Sequence, residues 1–99
     1  MKQHITFEEF DSLTDEHLDK LFNLMGLPEK KIYVSEYDVN IGRMIGVLQH
    51  KYWITLEQDK NNSWHVVLYE KEKITLYHQF HVAKPELCDA LWEAVKEVL

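Results

Sequence analysis

Six histidines in 99 residues invite a metal reading first, because neutral imidazole is the commonest side-chain ligand for zinc and its neighbours. His78 and His81 are three apart in a segment that reads as a strand. They therefore point to opposite faces and cannot share an ion without a bulge. His65 and His81 fall on one face of two neighbouring strands, with no third ligand evident beside them, and His4, His17 and His50 are scattered. A functional zinc site needs three or four converging ligands, so the expectation is no metal and no cofactor.

The other reactive groups read the same way. Cys88 is the only cysteine. No internal disulfide is possible, and a reducing compartment is the natural setting. Cys88 lies on the apolar stripe of a helix, where a thiol behaves as a small core residue rather than a nucleophile. Glu8–Glu9 and Asp15–Glu16 are adjacent in sequence, so each pair diverges on a helix and suits a helix N-terminus better than acid–base work. Glycines 26, 42 and 46 match neither nucleotide-binding fingerprint. No catalytic residue is expected, and the chain reads as a non-enzyme.

The elements that must position these groups are clearest after residue 51. Three alternating runs, YWITLEQ, SWHVVLYE and ITLYHQFHV, precede PELCDALWEAVKEVL. The period of two followed by a period near 3.6 predicts a three-stranded antiparallel meander and an amphipathic helix. Asp59, Asn61, Asn62 and Ser63 mark the first turn, and Lys71, Glu72 and Lys73 the second. Pro85 suits the first turn of the closing helix. Leu87, Cys88, Leu91, Val95 and Val98 make that helix's buried stripe.

Upstream, Thr6 and Glu9 have capping-box spacing, and Thr14-Asp15-Glu16 is a second start signal. Residues 7–25 are either one helix or a short turn followed by a helix from 15, stopped by Gly26 and Pro28. Residues 27–36 connect, with Ile32 and Val34 extended. A further helix is expected from Tyr37 to His50, capped by Ser35 or Asp38. Gly42 and Gly46 share one face of it. Their cost of up to ~1 kcal/mol each is explained if another element approaches the backbone there. The fold class is α+β, a single domain over residues 1–99 in the order α-α-β-β-β-α.

Alternation sorts the strands into two faces. Tyr52, Ile54, Leu56, Trp64, Val66, Leu68, Ile74, Leu76 and Phe80 form the core face. Trp53, Thr55, Glu57, His65, Val67, Tyr69, Thr75, Tyr77, Gln79 and His81 form the other. This second face is amphipathic. Trp53, Tyr69 and Tyr77 with His65 and His81 make an aromatic patch of the kind that anchors protein interfaces. Either the N-terminal helix covers it, or a second copy of the chain does. A second candidate surface is acidic, with Glu8, Asp15 and Asp19 on the first helix and Glu93 on the last. Such a surface either serves solubility or meets a basic partner.

A net charge of −6 argues against direct nucleic-acid binding, which rests on Lys and Arg neutralising phosphates. The single arginine, Arg43, points the same way. No apolar run approaches the ~18 residues that span a bilayer, and MKQHITFEEFD lacks the apolar centre of a signal peptide. The expected setting is the cytoplasm.

Two segments carry a resemblance. "NIGRMIGVL" at residues 40–48 holds Ile41, Gly42, Met44 and Ile45, and "ELCDALWEAVKEVL" at 86–99 holds Asp89, Ala90, Leu91, Trp92, Glu93, Ala94 and Val95. Together they resemble small uncharacterised proteins encoded by phages and prophages of Gram-positive bacteria. The resemblance implies a phage origin and an accessory role through protein binding. The expectation is a small acidic module that binds and modulates a host protein with a basic surface, such as a defence or nucleic-acid-processing factor. The alternative is a structural protein that self-associates through the aromatic sheet face.

Overall fold

The start signals at Thr6 and Thr14 are both used, which divides the N-terminal region into two helices. The computed structural model describes residues 1–27, 34–71 and 80–99. Helix α1 (Phe7–Asp11) opens with the Thr6–Glu9 capping box, in which each side chain accepts from the other's backbone N–H. Helix α2 (Asp15–Leu24) opens with the Thr14 hydroxyl accepting from the His17 N–H. It ends at Gly26, whose φ of 77° lets the Leu27 N–H turn back to the Phe22 carbonyl. That is the left-handed closure glycine makes without a Cβ penalty.

The next helix is shorter than its apolar pattern suggests. A 3₁₀ turn (Glu36–Asp38) comes first, with the Asp38 carboxylate accepting from the Ser35 N–H. Helix α3 (Ile41–Leu48) then starts at Asn40, whose side-chain oxygen accepts from the Arg43 N–H. Neither Ser35 nor Asp38 caps α3. The break is imposed from the N-terminus: Ile5 donates to the Val39 carbonyl and Ile41 to the Gln3 carbonyl. This pairs His4 with Asn40 in an isolated antiparallel bridge. Asn40 is held extended, so the helix begins only at Ile41. The glycine expectation also fails. A Cβ on Gly46 would meet nothing within 4 Å, and one on Gly42 would meet only the Asn40 oxygen at 3.6 Å. Both lie on the solvent side of α3.

Strands β1 (Tyr52–Gln58), β2 (Trp64–Glu70) and β3 (Phe80–Lys84) form an antiparallel sheet in the order β1-β2-β3. The β1–β2 turn is built by Asp59, whose carboxylate accepts from the Asn61 and Ser63 N–H groups, and by Asn62 at φ 63°. Asparagine tolerates that region better than most residues. The third strand runs to Lys84, two residues beyond the apolar run. Residues 72–79, and with them Glu72, Lys73, Ile74, Thr75, Leu76, Tyr77, His78 and Gln79, lie outside the described residues. So do Pro28 and Ile32.

The register places Ile54 opposite Leu68, and Leu56, Val66 and Val82 in one row. Every described core-face residue packs into one cluster with α2, α3 and α4. Helix α4 (Leu87–Val98) lies over β2 and β3, with α3 beside it over β1. Pro85 stands before the helix, which has Glu86 at its cap. Trp92, absent from the stripe read in sequence, is buried with Leu91 and Val95. Helix α4 is enclosed on most sides: its Asp89 end is tied to Lys2, and the Leu99 carbonyl just past its other end accepts from Lys20. Burying Leu91, Trp92, Val95, Val66 and Leu68 in one cluster contributes about 1.5–3 kcal/mol per large side chain.

Candidate functional site

The outer face of the sheet is one candidate surface, and the strand register builds it row by row. Trp53 faces Tyr69. Thr55, Val67 and His81 form the next row, and Glu57, His65 and Ala83 the last. Alternation puts all of these on the side away from α4. The N-terminal helices do not complete a sandwich over them. Helix α2 instead buries Leu21 in the same core as α3 and α4, and its Leu24 carbonyl accepts from the His50 ring. Trp53 keeps 63% of its surface exposed, with the Lys71 ammonium 4.6 Å from its ring centre.

Within this face the structure brings together three groups that the sequence kept apart. The Asp59 carboxylate lies 2.8 Å from His65 Nε2, and His65 Nδ1 lies 2.8 Å from His81 Nε2. The two ring centres are 5.1 Å apart with 23° between planes. That separation is the nitrogen–nitrogen distance plus a ring radius at each end, so the imidazoles meet edge to edge rather than face to face. The hydrogen bond from His65 holds the Asp59 carboxyl below the usual carboxylate range, and the Ser63 and Asn61 N–H groups add to this. With Asp59 ionised, His65 donates from Nε2, which leaves its Nδ1 as an acceptor for the His81 Nε2–H when both rings are neutral. This tautomer follows from the hydrogen-bond network.

These groups line one side of a shallow cleft of about 450 Å³ with Glu57, Val67 and Tyr69. Among the described residues, no set of three histidine, cysteine or carboxylate groups converges on a metal position. Asp59 was legible only as a turn residue. Its second role was signalled by its place at the hairpin end, next to the row that begins with Glu57 and His65. Tyr77 lies outside the described residues, so the aromatic patch is described at Trp53, Tyr69 and the two histidines.

The acidic surface is partly spent inside the fold. Lys2 Nζ lies 2.8 Å from Glu9 and 2.6 Å from Asp89, and the Lys2 N–H donates to Glu86. Burial pulls the Lys2 ammonium's pKa down, but the hydrogen bonds it donates to Asp89 and Glu9 outweigh this and leave the value raised. Burial pushes Glu9 up, and Lys2 with the Thr6 N–H reverses this to a net lowering. Glu93 pairs with Lys96 at 2.9 Å. Glu8, Asp15 and Asp19 remain exposed. Two aromatic side chains that the sequence patterns did not single out are also exposed: Phe7 on α1, next to Glu8 in sequence, at 58%, and Tyr37 on the 3₁₀ turn that touches α1, at 65%. The Tyr37 ring lies 4.6 Å from that of His4. Cys88 is buried in the core, and burial pushes its thiol up to about 11, so it is held protonated.

Among the described residues no helix is long and apolar enough to cross a membrane. No protein-family model, curated protein or solved structure matches the chain.

Proposed function

We propose that this chain is a small acidic protein-interaction module of phage or prophage type, which binds and modulates a host protein through a basic surface on that protein. The observation that carries the reading is the exposure of Phe7 and Tyr37 among the carboxylates of α1 and the adjoining turn. Exposed aromatics supply the desolvated contact area that anchors interfaces. Surrounding acids speed encounter with a basic partner and make binding salt-sensitive. The net charge of −6 agrees with this and disfavours a nucleic-acid ligand. The resemblance of residues 40–48 and 86–99 to phage-encoded proteins supplies the host-directed part, and the host cytoplasm is the proposed setting. The chain is read as a binder, not an enzyme, with Glu8, Asp15, Asp19, Phe7 and Tyr37 at the contact. A defence or nucleic-acid-processing factor would present the required basic groove.

The test is capture from lysate of a Gram-positive host, comparing the natural chain with a Phe7→Ala, Glu8→Lys, Asp15→Lys variant at low and high salt. The expected result is one host protein retained at low salt, released at high salt and lost by the variant. Equal retention by both chains removes this surface from the proposal.

A second reading is homodimerisation through the outer sheet face, and the observation favouring it is Trp53, exposed on edge strand β1. Gel filtration at two concentrations separates the readings. A dimer abolished by Trp53→Asp moves the function to self-assembly, whereas a monomer at both concentrations leaves the partner reading.

A further inference from the structure

We propose that His65 and His81 form an open binding site for a divalent transition-metal ion, coordinated through His65 Nδ1 and His81 Nε2, with Asp59 holding the His65 ring. The two nitrogens already face one another at 2.8 Å on adjacent strands. An ion between them at about 2.0–2.1 Å from each, with a tetrahedral angle, needs the nitrogens about 3.3 Å apart. The gap opens by about half an ångström, and the exposed His81 ring turns so that both lone pairs aim at the ion.

Asp59 prepares the site. A ligating histidine commonly donates its other ring N–H to a carboxylate, which fixes the tautomer and raises the basicity of the coordinating nitrogen. His65 has this arrangement, donating from Nε2 to Asp59 at 2.8 Å. The Asp59 carboxylate is itself fixed by two backbone N–H groups of the turn. The ion takes the place of the proton between the rings. That proton moves from Nε2 to Nδ1 of His81, so both imidazoles stay neutral, as ligands must. Glu57 lies directly across from His65 on the same face and adds negative charge beside the site.

The donor set selects the ion. Imidazole nitrogens suit zinc, copper and nickel, whereas magnesium and calcium demand oxygen. With two protein donors, the remaining positions belong to water. The site is therefore weaker than a closed structural centre and accessible to an added ligand.

The experiment is calorimetric titration of the untagged, metal-stripped chain with zinc chloride and nickel chloride, with magnesium chloride as the oxygen-seeking comparison. The expected result is one zinc ion per chain, no magnesium binding, and zinc-dependent shifts of the His65 and His81 ring signals by NMR. His81→Gln should weaken zinc binding at least about tenfold, and Asp59→Asn by about 10–100-fold. Circular dichroism of each variant shows whether the fold is intact, and both residues lie on the surface side of the sheet. Absence of zinc binding by the natural chain overturns the proposal. Zinc binding of unchanged affinity in His81→Gln also overturns it, because the ion would then sit elsewhere.

Discussion

The two faces of one sheet behave as different materials. On the inner face, Leu68 and Val66 lose all solvent exposure against α4. On the outer face, the neighbouring residues Val67 and His65 keep contact with water, and His65 is held by two hydrogen bonds. The strands are the same and the register is the same; only the direction of the side chain differs. The inner face gains from any apolar group of roughly the right volume. The outer face depends on where particular nitrogens and oxygens fall.

The contrast breaks most easily through truncation. Leu68→Ala should cost about 2–5 kcal/mol, because a cavity opens in a closed core. Val67→Ala, one residue away, should cost less than about 1 kcal/mol, since water already reaches it. Urea unfolding of the two variants measures both. Similar losses would mean that the outer face is also packed and that its openness is not a property of the protein in solution.

A smaller effect sharpens the same distinction at the glycines. Gly46→Ala should stabilise the chain by about 0.5–1 kcal/mol, because alanine is the better helix former and its methyl group meets open space. Gly26→Ala should destabilise by about 1–2 kcal/mol, since a Cβ is strained at φ 77°. Thermal melts of the pair check the opposite signs.

The smallest effect lies in the Lys2 clamp, a half-buried set of ion pairs at the surface, worth about 1 kcal/mol or less. Its pH dependence has two ends. Glu9 has a lowered folded pKa, so its contribution is present above the ordinary carboxylate value and is lost as pH falls through the lower folded value. Lys2 has a raised folded pKa, so its contribution is complete below the ordinary lysine value and is lost as pH rises through the higher folded one. Lys2→Met should therefore differ from the natural chain in stability across the neutral range and converge with it in acid. A constant difference at every pH would assign the effect to packing of the lysine stem.

The inner face was readable in sequence for a physical reason. Ile54, Leu56, Val66 and Leu68 announce themselves by period alone, because burial acts on every residue of a face in the same way. The Thr6–Glu9 capping box and the Asp59–Ser63 turn were readable because they are local. Three features were not. The Gln3–Ile41 pairing that shortens α3 joins residues 38 apart in sequence. The exposure of Gly42 and Gly46 depends on which way α3 faces. The Asp59–His65–His81 chain depends on a diagonal neighbour relation between strands, set by a register that alternation constrains only to one face or the other. Of the site, the shared face of His65 and His81 was legible, and the carboxylate joining them was not.

Helix α4 also bears on the order of events during synthesis. It is the last element of the described chain, yet it fills the centre of the core, over β2 and β3 and beside α3. At ~5–20 residues per second, the β1–β2 hairpin is finished roughly one to six seconds before Val98 is added. Through that interval Val66 and Leu68 lack α4, the helix that packs on β2 in the finished fold. The nascent hairpin is thus the stage at which this chain most needs shelter from other chains, and mutations that weaken α4 should lower soluble yield more than they lower the stability of the finished protein.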